Sequence, residues 1–128
     1  MSNMKRLVHT EKAPKAVGPY SQAIEINGML FISGQIAIDP ATAKLIDGGI
    51  REQTELVLKN IGHILNEAGY DYSHVVKSTC LLSDMSDFAA MNEVYSRFYI
   101  DIRPARATFA AKGLPLGALV EIETMAVK

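Results

Sequence analysis

Residues 103–127 read RPARATFAAKGLPLGALVEIETMAV, which is two β-strand patterns joined by a connection rich in glycine and proline. The second pattern alternates apolar and charged side chains, and successive side chains of a strand point to opposite faces of a sheet. Val120 and Ile122 therefore share one face, while Glu121 and Glu123 share the other. This alternation predicts a strand with one face on the core and one face open to a ligand or a partner.

The first pattern of this stretch alternates in the same way. Arg106 and Thr108 fall on one face, and Ala107 and Phe109 fall on the other. A charge on a strand needs a partner or a ligand. Arg106 either forms an ion pair with Glu121 across adjacent strands, which the residues alone favour, or binds a substrate carboxylate through its planar fork. In the second case, Glu121 is placed to activate a water molecule.

Upstream, local signals predict a hairpin, two helices and an internal strand. Asn27-Gly28 stands between two apolar runs and is typical of a type I′ turn. From residue 50 to residue 68, apolar residues recur at intervals of three and four, which predicts an amphipathic helix that ends at Gly69. The run 75–82 is apolar enough for an internal strand. A second helix, capped by Asp84 or Ser86, carries a buried stripe of Phe88, Met91, Val94, Tyr95 and Phe98.

These segments give the order β-β-β-α-β-α-β-β. Two helices on one face of a mixed sheet bury both apolar stripes most economically, so we expect an α+β fold. A chain of 128 residues suits one domain spanning residues 1–128.

Composition excludes several function classes. The 13 basic and 14 acidic side chains give a net charge of −1, so neither nucleic acid nor a membrane surface is an expected partner. Cys80 is the single cysteine, and no apolar run suggests a leader or a membrane span, so a cytoplasmic location is expected. The three histidines lie in different elements and no glycine-rich cofactor loop occurs, so we expect neither a metal nor an organic cofactor.

Two loop positions allow both a structural and a functional interpretation. Tyr20 lies in a segment rich in glycine and proline, where its ring either packs on a neighbouring strand or reaches across a cleft. Gly34, in Ser33-Gly34-Gln35, either relieves crowding or lets a ligand approach the backbone. The residues alone leave both choices open.

Six short motifs, in this order along the chain, resemble those of the RidA/YjgF reactive intermediate deaminase family. They are Gly18-Pro-Tyr-Ser-Gln-Ala23, Ser33-Gly34-Gln35, Phe88-Ala-Ala-Met-Asn92, Pro104-Ala105-Arg106, Leu114-Pro115 and Val120-Glu-Ile-Glu123. The resemblance implies a chorismate-mutase-like fold and a homotrimer with active sites between subunits. It also implies hydrolysis of small 2-imino or enamine acids, such as 2-iminobutanoate and 2-iminopropanoate, to 2-keto acids and ammonia, without a cofactor.

The resemblance also implies roles for individual residues. Arg106 would bind the substrate carboxylate, and Glu121, favoured by the motif over Glu123, would activate water. Thr108 stands where many members carry a cysteine, which leaves substrate preference open. Two alternatives are a trimer that binds small 2-keto acids without catalysis, and an RNA-directed role. The remaining pocket residues implied are Tyr20, Ser33, Gly34, Phe88, Asn92, Ala107 and Thr108.

Overall fold

The computed structural model describes residues 4–128 and shows an α+β fold with two helices, α1 (Ile50–Glu67) and α2 (Phe88–Tyr95). The predicted order of elements is confirmed. One small hairpin was not predicted, because it lies in a turn-rich stretch without strand periodicity. The strands are β1 (Arg6–Val8), β2 (Ala23–Ile26), β3 (Met29–Gln35), β4 (Ile38–Asp39), β5 (Lys44–Leu45), β6 (Val75–Leu82), β7 (Ala105–Ala110) and β8 (Val120–Val127).

Six of the strands form one mixed sheet in the order β1-β2-β3-β8-β6-β7, and β4 pairs only with β5. The β6–β7 pair is parallel and the other pairs are antiparallel. The two strands of the C-terminal stretch are therefore not neighbours, because β6 lies between them. In register, Ser78 of β6 faces Arg106, and Leu81 of β6 faces Glu121.

The helices cover one face of this sheet. Helix α1 contacts β3 and β8 and packs against α2. The β8 residues on this side, Val120 and Ile122, are fully buried, as the alternation predicted. Burying a side chain of this size stabilises the fold by about 1.5–3 kcal/mol. The opposite face carries exposed aromatic side chains, including Phe31 and Phe109.

Turns and helix ends follow the local signals. Asn27 and Gly28 have φ angles of 52° and 75°, as a type I′ turn requires. Gly69 has a φ of 86° and ends α1 after Ala68. Asp84 Oδ1 accepts a hydrogen bond of 2.8 Å from the backbone of Ser86, so it caps a short 3₁₀ turn that precedes α2. Within residues 4–128, no helix is long and apolar enough to cross a membrane.

Candidate active site

A cavity of about 660 Å³ opens where β3 and β8 meet two loops. We call it the acidic cleft, because two carboxylates on β8 line it. One loop contributes Pro14 to Val17 and Tyr20, whose side chain is 51% exposed at the entrance. The other contributes Pro115 and Leu116. The acidic cleft brings together five residues from three separate motifs: Tyr20, Ser33, Gly34, Glu121 and Glu123.

Gln22 fixes the first loop of the cleft. Its side chain is 2% exposed. The amide nitrogen donates hydrogen bonds to the carbonyl oxygens of Pro14 at 2.8 Å and Thr10 at 3.0 Å, and the amide oxygen accepts one from Thr10 N at 2.8 Å. A buried amide satisfied in this way holds its loop in one place. This role was not predicted from the sequence, although a glutamine directly before the apolar start of a strand was a signal.

A bulge in β3 brings the backbone of the cleft close to Glu121. Ile32 pairs with Thr124, but the next pairing is Gln35 with Ile122, so β3 carries one extra residue here. A side chain at Gly34 would overlap the Oε2 atom of Glu121. Gly34 therefore relieves crowding by a carboxylate, and its contact with a substrate stays a prediction.

The carboxyl group of Glu121 has an altered pKa. Burial raises this pKa, and the like charge of Glu123 raises it further. The carboxylate can then accept a proton from water more readily than an ordinary glutamate does. Glu123 also lines the cleft but is exposed.

Arg106 lies on the helix side of β7, away from the acidic cleft. Its guanidinium carbon is 4.8 Å from the ring centroid of Tyr95 and 5.8 Å from that of Phe88. No acidic side chain pairs with it within the described part of the chain. The ion pair with Glu121 is therefore wrong. Strand β6 separates the two residues, and their side chains project from opposite faces of the sheet.

Buried polar atoms without a hydrogen-bond partner lie near Arg106, on α2 and β7. Asn92 Oδ1 and Thr108 Oγ1 are buried without a hydrogen bond of normal length to any described residue. Thr108 follows Arg106 on the same face of β7, beside the buried Cys80 thiol. Buried polar atoms are almost always hydrogen-bonded, so these two are candidates to receive a ligand or another subunit. We call this second cluster the arginine shelf: Phe88, Asn92, Tyr95, Arg106 and Thr108.

Comparisons with known proteins identify the family of this chain. A family model described as "Endoribonuclease L-PSP" matches residues 10–128. The chain is 45% identical to the 2-iminobutanoate/2-iminopropanoate deaminase of Mus musculus, over 99% of this chain and 94% of that protein. The chain belongs to the RidA/YjgF family.

Solved structures of RidA/YjgF relatives have the same fold. RidA from an Antarctic Psychrobacter is 41% identical, with a TM-score of 0.93 over 96% of this chain and 99% of that one. TdcF of E. coli, solved with bound serine, is 35% identical, with a TM-score of 0.92 over 96% of this chain and 98% of that one.

The structure divides the residues implied by the RidA/YjgF resemblance into two groups within one chain. The acidic cleft holds Tyr20, Ser33, Gly34 and Glu121. The remaining residues lie on β7 and α2, and among them Ala107 is exposed and points away from the shelf. Tyr95 was predicted only as part of a buried stripe, so its contact with Arg106 is a finding of the structure.

Proposed function

We propose that the protein is a 2-iminobutanoate/2-iminopropanoate deaminase. It hydrolyses small 2-imino acids to 2-keto acids and ammonia. The observation that carries the proposal is the 45% identity to the mouse deaminase over nearly the whole of both chains. The unpaired guanidinium of Arg106 and the raised pKa of Glu121 supply the two groups that this reaction uses.

The proposed active site forms between subunits of a homotrimer. In one chain, the arginine shelf and the acidic cleft lie on opposite sides of the sheet, so neither is complete alone. The uncovered sheet face carries Phe31 and Phe109, which are 39% and 51% exposed. Exposed aromatic side chains on an open sheet face are typical of subunit contacts. A neighbouring subunit would bring its arginine shelf to the acidic cleft.

In the proposed mechanism, Arg106 holds the substrate carboxylate through two parallel hydrogen bonds. Glu121 takes a proton from water as the water oxygen bonds to C2 of the protonated imine, whose C=N π electrons move to nitrogen. The protonated Glu121 then returns that proton to the nitrogen of the carbinolamine. The C–N bond breaks with its electron pair moving to nitrogen, and Glu121 passes the hydroxyl proton to the released ammonia, leaving a 2-keto acid and ammonium. A protonated imine is already electrophilic, so the protein supplies mainly orientation.

Thr108 changes the shelf without removing its polar character. Many family members carry a cysteine at this position, according to the resemblance. A threonine hydroxyl can donate or accept a hydrogen bond, and its Oγ1 has no such bond of normal length among the described residues. We therefore assign Thr108 to substrate contact, with no thiol chemistry.

The test is a coupled assay in which a threonine dehydratase generates 2-iminobutanoate in situ. Wild type should accelerate keto-acid formation, whereas Arg106→Ala and Glu121→Gln should not. Arg97→Ala is the matched control, because Arg97 is exposed and pairs only across one helical turn with Glu93. No acceleration by wild type would refute the deaminase. Binding of 2-oxobutanoate without turnover would then favour the alternative function, a trimer that binds small 2-keto acids without catalysis.

RNA cleavage is the second candidate, because the matching family model is described as an endoribonuclease. The acidic cleft argues against it, since Glu121 and Glu123 would repel a phosphate backbone. Binding of single-stranded RNA that weakens steeply with added salt would support this role. Absence of binding near physiological salt would exclude it.

A further inference from the structure

We propose that Tyr95 is a positioning residue that holds the guanidinium of Arg106 ready for the substrate carboxylate. The inference rests on the proposed function, because it explains how the carboxylate anchor of that reaction is kept in place. Tyr95 contacts Arg106 through its ring and acts through Arg106, not on the reacting atoms.

The guanidinium of Arg106 lies over an aromatic ring. Its guanidinium carbon lies 4.8 Å from the Tyr95 ring centroid, within the roughly 6 Å at which a cation is attracted to an aromatic face. Phe88 is at the limit of this range, at 5.8 Å. A long side chain without a partner samples many rotamers, and fixing it costs free energy. The aromatic contact removes part of that cost before the substrate arrives.

The Tyr95 ring is held in place by the core around it. The side chain is 5% exposed and lies on α2 within the core. Its ring centroid is 4.7 Å from that of Tyr99, with the ring planes at 41°. Burial raises the pKa of Tyr95, and the neighbouring Ser78 hydroxyl partly offsets this. A ring that is buried and packed against a second ring keeps one orientation, so it can orient a cation.

An aromatic contact differs chemically from an ion pair in what it leaves available on Arg106. An aspartate or glutamate could also hold Arg106, but it would occupy the N–H donors that a substrate carboxylate needs and neutralise the charge. An aromatic face attracts the guanidinium from above its plane and leaves the donors at its edge free. In the structure, the Arg106 guanidinium lies over the Tyr95 ring, and no acidic side chain of residues 4–128 pairs with it.

An isosteric pair of variants tests the role of the ring face. Tyr95→Phe keeps an electron-rich ring, whereas Tyr95→pentafluorophenylalanine keeps the shape and reverses the charge distribution of the face. We expect Tyr95→Phe to keep KM within about twofold of wild type, and the fluorinated variant to raise KM about tenfold with little change in kcat. Affinity for the product 2-oxobutanoate should fall by the same factor.

Tyr72 provides the matched control. It belongs to the same aromatic cluster, with its ring centroid 5.8 Å from that of Tyr99. The ring contacts of Arg106 among residues 4–128 are with Phe88 and Tyr95, not with Tyr72. Tyr72→pentafluorophenylalanine should leave KM at the wild-type value even if it lowers the melting temperature. A rise in KM of equal size at both positions, or none at Tyr95, would overturn the proposal.

The outcomes separate this inference from the proposed function. If wild type hydrolyses the imine and the fluorinated Tyr95 variant keeps a normal KM, only the positioning role fails. If wild type binds 2-oxobutanoate without turnover, the deaminase fails, and the affinities of the two Tyr95 variants still decide the positioning role. If wild type neither binds nor hydrolyses, both proposals fail together.

Discussion

Arg106 and Glu121 project from opposite faces of one sheet, and strand β6 lies between the strands that carry them. The two residues cannot meet within one chain. A shared role for them requires two chains, with Arg106 from one subunit and Glu121 from the next. For the homotrimer proposed above, this relationship gives the first prediction.

Two inactive variants should restore activity when their subunits mix. Arg106→Ala removes the carboxylate anchor and Glu121→Gln removes the base, so each homotrimer should be inactive. In trimers reassembled at a one-to-one ratio, about one site in four should combine an intact Arg106 from one chain with an intact Glu121 from the next. We expect about a quarter of wild-type activity in the coupled assay. If trimers shown to contain both variants stayed as inactive as their components, the site shared between subunits would be refuted.

Gly34→Ala should impair catalysis by displacing Glu121. The new methyl group would overlap Oε2 of Glu121, so the carboxylate must move away from its place beside the bulge. We expect kcat to fall more than tenfold, since a misplaced base loses its alignment with the reacting water. Gly113→Ala is the control, because a side chain there meets nothing within 4 Å. Equal kinetics for the two alanine variants would contradict this account.

The charge of Glu123 should set the pH range of activity. Burial and Glu123 raise the pKa of Glu121, and the proposed base must be ionised to work. Glu123→Gln removes the like charge, so the pKa of Glu121 should fall. The acid limb of the pH profile of kcat/KM should then move to lower pH, with the plateau kept. If the acid limb did not move, the ionisation of a group other than Glu121 would control it.

Local signals predicted the elements of this fold well. Asn27-Gly28 and Gly69 encode their turns directly through positive φ angles, and the alternation at Val120 to Glu123 encodes the two faces of β8. The strand order could not be predicted in the same way, because it depends on pairings between distant segments. The ion pair between Arg106 and Glu121 was wrong for this reason.

The candidate site was predicted in the same uneven way. The motif positions at Gly34 and Glu121 do meet in the acidic cleft. The supports that hold the site were missed, because Gln22 and Tyr95 look like an ordinary strand edge and an ordinary helix stripe in the sequence. Their roles come from hydrogen bonds and a ring contact across separate elements.

Glu121→Gln should make the protein more stable near neutral pH while abolishing catalysis. The pKa of Glu121 is raised in the folded state, so its stabilising contribution is present below the unfolded-state pKa and is lost as the pH rises through the folded-state pKa. The ionised, half-buried carboxylate therefore destabilises the fold at neutral pH, and a neutral glutamine removes that cost. We expect a melting temperature a few degrees above wild type at about pH 7, with the difference shrinking toward about pH 4. Glu55→Gln is the control, and it should lower the melting temperature at neutral pH, because the hydrogen bond from Lys59 lowers the pKa of Glu55. A Glu121→Gln protein that melts below wild type at neutral pH would show that the ionised carboxylate stabilises the cleft. It would contradict the raised pKa of Glu121.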